Sequence, residues 1–206
     1  AGLLNSLGRT GWSFDETTEF MSLEFLIENF SLERVVKASA AFDPEKLMSY
    51  QAHWMTELAP EGLAGGCLWY LQRAGLVAED ASEAQVAHVR AVVAALGDRI
   101  KVFSDILTFD YFFRDEIEYS EKDFRKRVRK AGVPDLLASF RTILASIDNW
   151  TAERLESELQ SFVESREIGA GLLIHALRIS STGSPTGPGV YDCLVLVGKD
   201  KTLERI

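Results

Sequence analysis

The chain has 206 residues, 47% hydrophobic and 26% charged, with a formal net charge of −9. That balance suits a soluble globular protein of one or two packed domains and excludes a disordered chain. An acidic sum argues against indiscriminate nucleic-acid binding, and no apolar run approaches the roughly 18 residues a membrane span requires.

The first residues, AGLLNSLGR, have no basic region ahead of an apolar core and no cleavage signature, so they are not a signal peptide. Leu3, Leu4 and Leu7 stand at helical spacing with no cap before them. The chain therefore opens in mid-pattern and is expected to be cut from a longer polypeptide. A helix tail should end near Gly8, with a turn at Gly11-Trp12-Ser13. Ser22 is placed to cap a helix with Leu23, Leu26, Ile27 and Phe30 on one face. Another helical turn should follow over Ser31–Val36. Asp43-Pro44 pairs an N-cap with proline at the first helical position, opening a helix through Leu47, Tyr50 and Trp54. Leu58 to Gly65, rich in glycine and alanine around Pro60, reads as a domain boundary.

Helices are next expected over about Leu63–Ala74, stopped by Gly75, and over Ser82–Leu96, stopped by Gly97. Ser82 and Gln85 form a capping box ahead of Val86, Val89, Val93 and Leu96. Asp98–Phe112 should hold one or two short helices with Ile100, Phe103, Ile106 and Leu107 inward. Ser120 opens a basic helix expected to run to Gly132. Between Glu121 and Lys130 six basic residues face two acidic ones, a local charge of +4 that leaves −13 on the rest of the chain. Lys122, Arg125, Lys126, Arg129 and Lys130 would share one side. That side is either a grip for phosphates, and then salt-sensitive, or a merely solvated face. Pro134 restarts an apolar helix, Thr151 caps another with Leu155, Leu159, Phe162 and Val163 inward, and Ile168–Ile179 delivers Arg178 to a loop.

That loop, Ser180 to Gly189, holds Gly183, Gly187 and Gly189 with Pro185 and Pro188. Glycine admits unusual φ values and proline stiffens the turn, so an ordered loop with outward backbone groups is expected. Pro188 should restart the chain as a helix with Val190, Tyr191, Leu194, Val195 and Val197 available to a core. An arginine beside bare backbone donors suits unpaired RNA bases, which are read at their edges and by stacking. The alternative is an ordinary surface loop between two helices.

No catalytic centre emerges. His53, His88 and His175 neighbour no nucleophile signature, G-x-S-x-G does not occur, and Gly198-Lys199 lacks the remainder of a P-loop. Cys67 and Cys193 lie far apart in apolar runs and read as buried thiols of a reducing compartment. No Cys or His pair has metal-ligand spacing. A binding module is the better class, in an all-α fold of about a dozen short helices.

Several segments, in collinear order over essentially the whole chain, resemble the C-terminal half of bacterial-type glutamyl-tRNA synthetase. They are Leu3-Leu4-Asn5 with Gly11-Trp12-Ser13, FSLERVVKASAAFDPEKL (Phe30–Leu47), Asp98-Arg99-Ile100, and LRISSTGSPTGPGVYDCLVLVGKDKTLERI from Leu177 to Ile206. The resemblance implies three parts: 1–58 as the rear of the stem-contact region, and 59–112 and 113–206 as two helical anticodon-binding subdomains. It implies as partner the anticodon loop of a glutamate-accepting tRNA, with no DNA and no membrane, in the cytoplasm. Arg99 and Arg178 would read bases, and Gly187, Pro188 and Val190 would form the shaped wall. The face carrying Lys122, Arg125, Lys126 and Arg129 would meet phosphates. Gly187 stands where the family often has a small hydroxyl residue, and Ala176 where it often has proline. For Arg99 the competing reading is a surface partner of Asp98, Glu83 or Asp105. The HIGH and KMSKS signatures are missing, so ATP and Mg, which the family uses, are expected with a catalytic domain N-terminal to Ala1, and no cofactor is expected in this piece. The rival reading is a helical protein-interaction scaffold that no longer binds RNA.

Overall fold

Side-chain caps set the starts of five helices in this computed structural model, which describes residues 1–36 and 41–206. Part of the Phe30–Leu47 stretch, residues 37–40, therefore lies outside the described residues. Eleven α-helices and three 3₁₀ segments make up the architecture, and no strand occurs among the described residues. The chain is all-α.

Helix α1 (Gly2–Gly8) packs on α3 (Pro44–Thr56), with α2 (Leu23–Asn29) beside them. Ser22 Oγ accepts the Phe25 N–H at 3.1 Å, and Asp43 accepts the Glu45 and Lys46 amides at 3.0 and 3.1 Å. Asn5 is wholly buried and bonded through both its amide nitrogen and its oxygen: the nitrogen donates to Glu19 O at 3.0 Å, and the oxygen accepts from Met21 N and Trp54 Nε1 at 3.0 and 3.1 Å. Turning Asn5 inward turns Leu3, Leu4 and Leu7 outward, each about half exposed, and Leu23 and Ile27 of α2 are exposed as well. Of the face expected on α2, Leu26 lies against Gly8 and Phe30 packs on Trp12 with centroids 5.4 Å apart, while Leu23 and Ile27 stay exposed.

The second unit is built from α4 (Pro60–Arg73), α5 (Glu83–Leu96) and a 3₁₀ segment, Phe103–Phe112. The stretch from Leu58 to Gly65 is mostly the first turns of α4, because Pro60 at its start needs no amide partner. The Ser82–Gln85 capping box is formed reciprocally. Leu71, Val92, Leu96 and Ile106 are fully buried in its core.

The third unit contains α6 (Glu121–Arg127), α7 (Val133–Ala145), α8 (Ala152–Ser165), α9 (Ala170–Thr182), α10 (Val190–Val197) and α11 (Lys199–Arg205). The basic helix ends at Arg127, not near Gly132. Phe124 O accepts both the Val128 and the Arg129 amides, at 2.8 and 3.0 Å, and Val128 turns into the core. Helix α9 runs to Thr182, three residues into the expected loop. Ser181 and Thr182 donate back to the carbonyls of Leu177 and Arg178 at 2.8 and 2.7 Å, so buried hydroxyls are satisfied within the last turn.

Helix α10 joins the two larger cores. Val190 and Leu194 enter the C-terminal core, while Cys193 and Val197 enter the middle one. Trp150 Nε1 donates to Leu194 O at 3.0 Å, and Arg205 donates to Tyr111 O and Ser181 O at 3.2 and 2.8 Å, tying the units at the same seam.

Replacing Leu194, 1% exposed, with alanine is expected to cost about 2–5 kcal/mol. Urea unfolding followed by tryptophan fluorescence should then show an earlier midpoint with 59–206 still melting in one transition; two separated transitions would mean that α10 does not couple the cores. Burial pushes the thiols of Cys67 and Cys193 up to about 11. A thiol reagent at pH 8 should leave both unmodified in the native chain and label both promptly in urea.

Candidate nucleic-acid interface

Arg178 sits one turn before the end of α9, half-buried, and faces the connection to α10. Its Nη2 donates to Pro188 O at 2.7 Å and its Nη1 to Cys193 Sγ at 3.5 Å. No carboxylate pairs with it among the described residues. A carbonyl fixes the guanidinium without neutralising it, so its charge remains available to a ligand.

The connection itself is shorter than expected, Gly183 to Gly189, and is ordered by its own side chains. Ser184 N donates to Thr182 Oγ1 at 3.2 Å, Thr186 N to Ser184 Oγ at 3.2 Å, and the two hydroxyls of Ser184 and Thr186 lie 3.1 Å apart. Gly183 is left-handed at φ 71°, and a Cβ there would fall 2.0 Å from Glu118 O. Only glycine lets the 117–120 segment cross the end of α9 so closely. Pro188 is not the first residue of α10. Gly189 is its N-cap, because Arg178 already occupies the Pro188 carbonyl that an earlier start would use. Pro188 and Val190 are both buried, so what they present to a ligand is backbone rather than side chain.

Arg99 ends the 3₁₀ turn Gly97–Arg99 and is exposed. It donates to Leu96 O at 3.3 Å and lies 3.7 Å from Asp98, an exposed pair that constrains it little. Neither Glu83 nor Asp105 pairs with it. Arg99 and Arg178 bear on the same two buried groups. Burial raises both the Tyr111 phenol and the Cys193 thiol, and both arginines oppose that rise. No direct contact joins Arg99 to Arg178 among the described residues.

The basic helix packs along α9. Lys122, Arg125 and Lys126 are exposed and make no ion pair among the described residues. Arg129, outside the helix, folds over the Phe124 ring at 5.3 Å and pairs with Glu121 at 3.2 Å, so it no longer shares their face. His175, three residues before Arg178 on α9, is exposed, and its pKa is lowered by burial and then by Arg127 and Arg178. In the sequence His175 neighbours no nucleophile and nothing beside it marks a site. Its position three residues before Arg178 on one helix face was the available signal. Tyr111 was missed too, with nothing local to flag it.

The model of the family described as "Anticodon binding domain" matches residues 62–206. A glutamate–tRNA ligase of Moorella thermoacetica is 34% identical over 205 residues, covering 99% of this chain and 42% of that protein. One of Roseiflexus castenholzii is 33% identical over 206 residues, covering 99% of this chain and 41% of the other. The chain spans about two fifths of the length of these curated relatives. A crystal structure of a glutamate tRNA ligase from Elizabethkingia meningosepticum, in complex with its amino acid, superposes with a TM-score of 0.86 at 23% identity. It shares the fold over 99% of this chain and 39% of that one. With seven tenths of its length matched by the family model, this chain belongs to the anticodon binding domain family.

Proposed function

We propose that this chain is the tRNA-recognition portion of a glutamate–tRNA ligase and holds the anticodon loop of a glutamate-accepting tRNA. The carrying observation is the Arg178 corner: a guanidinium fixed by a carbonyl at 2.7 Å, free of any acidic partner among the described residues, beside an ordered connection. In this reading Arg178 and Arg99 contact bases, and the backbone of Gly187, Pro188 and Val190 forms the wall. Lys122, Arg125 and Lys126, with Arg129 at their margin, contact phosphates. The division into a stem-contact remnant at 1–58 and two binding units at 59–112 and 113–206 belongs to the same proposal.

Glutamate activation with ATP and Mg is assigned to polypeptide beyond this chain. The chain carries neither HIGH nor KMSKS. The exposed leucines of α1 and the exposed Leu23 and Ile27 of α2 support a larger parent that buries them. No helix among the described residues is long and apolar enough to cross a membrane, and a cytoplasmic site of action is part of the proposal. The comparisons lend no support to the scaffold reading.

Arg178→Ala should weaken binding of a glutamate tRNA transcript by about ten-fold or more, the scale of one buried bidentate contact. Filter binding at several salt concentrations measures it, and unchanged affinity throughout would remove Arg178 from the interface. Arg99→Ala should instead narrow the difference in affinity between glutamate and glutamine tRNA transcripts. An undiminished difference would return Arg99 to the role of a surface arginine beside Asp98.

A further inference from the structure

Gly187 occupies an extended positive-φ conformation, φ 152°, that side chains rarely adopt. The space its missing side chain would fill is already taken. A Cβ there would lie 2.6 Å from the Tyr111 hydroxyl and 3.2 Å from Arg178 Nη1. The same two groups hold the peptides on either side of Gly187. Tyr111 Oη donates to Thr186 O at 3.4 Å, and Arg178 Nη2 donates to Pro188 O at 2.7 Å.

In a trans peptide the C=O and the following N–H point in opposite directions. Holding the Thr186 carbonyl inward therefore turns the Gly187 N–H outward, and holding the Pro188 carbonyl does the same for the Gly189 N–H. Neither amide has an acceptor among the described residues. Tyr111 is itself fixed. Its ring packs on Phe112 with centroids 4.5 Å apart and on Phe109 at 6.2 Å, and its carbonyl accepts from Arg205 at 3.2 Å. Burial raises its pKa, so the phenol keeps the proton it donates.

We propose that Tyr111 is a positioning residue for nucleotide reading: with Arg178 it clamps the peptides flanking Gly187 so that the Gly187 and Gly189 amides face an unpaired base as a preset pair of donors. The donors suit the carbonyl or ring-nitrogen acceptors on a base edge. Tyr111 touches no base, since it is only 4% exposed; it acts through the backbone it holds. The inference rests on the anticodon-loop reading above.

The test compares Tyr111→Phe, Gly187→Ala, the double variant and Arg178→Ala in this chain. Probes are an unmodified glutamate tRNA transcript and the same transcript with each anticodon base exchanged in turn. Tyr111→Phe keeps the ring and removes one hydrogen bond. It should weaken the unaltered transcript about three- to ten-fold and leave at least one base-exchanged transcript nearly unaffected, with little change in thermal midpoint. Gly187→Ala should weaken binding further, and adding Tyr111→Phe should restore part of the loss by removing the clashing oxygen. If Tyr111→Phe weakens all transcripts equally, or none, while Arg178→Ala still loses base discrimination, Tyr111 is structural and only this inference fails. If Arg178→Ala also leaves discrimination intact, the anticodon-loop reading fails and this inference fails with it.

Discussion

Helix α10 has one apolar face, about 100° wide, and shares it between two cores. Val190 and Leu194 go to the C-terminal core and Cys193 and Val197 to the middle one. A helix of only eight residues has little stability of its own, so its place is dictated by the two cores it fills. The connection from Gly183 to Gly189 ends on this helix and begins on α9, another buried element. Both anchors of the connection are set by packing, and its few residues have little freedom left. The corner where Tyr111, Arg178 and Cys193 close on the connection lies along that seam.

The choice of acceptors for Arg178 follows from its setting. A half-buried guanidinium needs partners to offset lost hydration, and a carboxylate would be the strongest. A carboxylate would also cancel the field that an anionic or acceptor-rich ligand feels. Here the partners are a carbonyl at 2.7 Å and a sulfur at 3.5 Å whose thiol is held protonated by burial. Arg178 is oriented while its charge is kept. Arg205 shows the contrasting use of the same side chain. It donates to the carbonyls of Tyr111, Ser181, Arg114 and Asp115, at 3.2, 2.8, 2.7 and 3.4 Å, and is spent on joining segments.

Much of the fold was legible because its signals are local. Ser22, Asp43, Ser82, Ser120 and Thr151 each cap the helix that their position announces, since a cap needs only residues within one turn. Ends were harder. The basic helix stops at Arg127 because Val128 is drawn into a core built mostly by α7, α8, α9 and α10, and no periodicity within 121–131 reveals that. Helix α9 outruns its apolar pattern because Ser181 and Thr182 satisfy themselves on its own carbonyls, where serine and threonine ordinarily signal a loop. At the corner, Arg178 was legible from its neighbourhood in sequence. Tyr111 was not, since its relation to Gly187 exists only after the two cores have docked on α10.

Charge then decides how such a corner has to work. With +4 between Glu121 and Lys130 and −9 overall, the rest of the molecule carries −13, so most of its surface repels a polyanion. A general electrostatic attraction of the kind that dominates non-specific nucleic-acid binding is weak on this body. The densest run of positive charge lies at Glu121–Lys130, where Lys122, Arg125 and Lys126 are exposed and make no ion pair among the described residues. In the proposed reading, a strand that docks must bring its phosphates to that patch and its bases to the fixed donors together, because neither contact alone offsets the surrounding acid. Selectivity then arises from the narrowness of the favourable region as much as from the strength of any single contact within it.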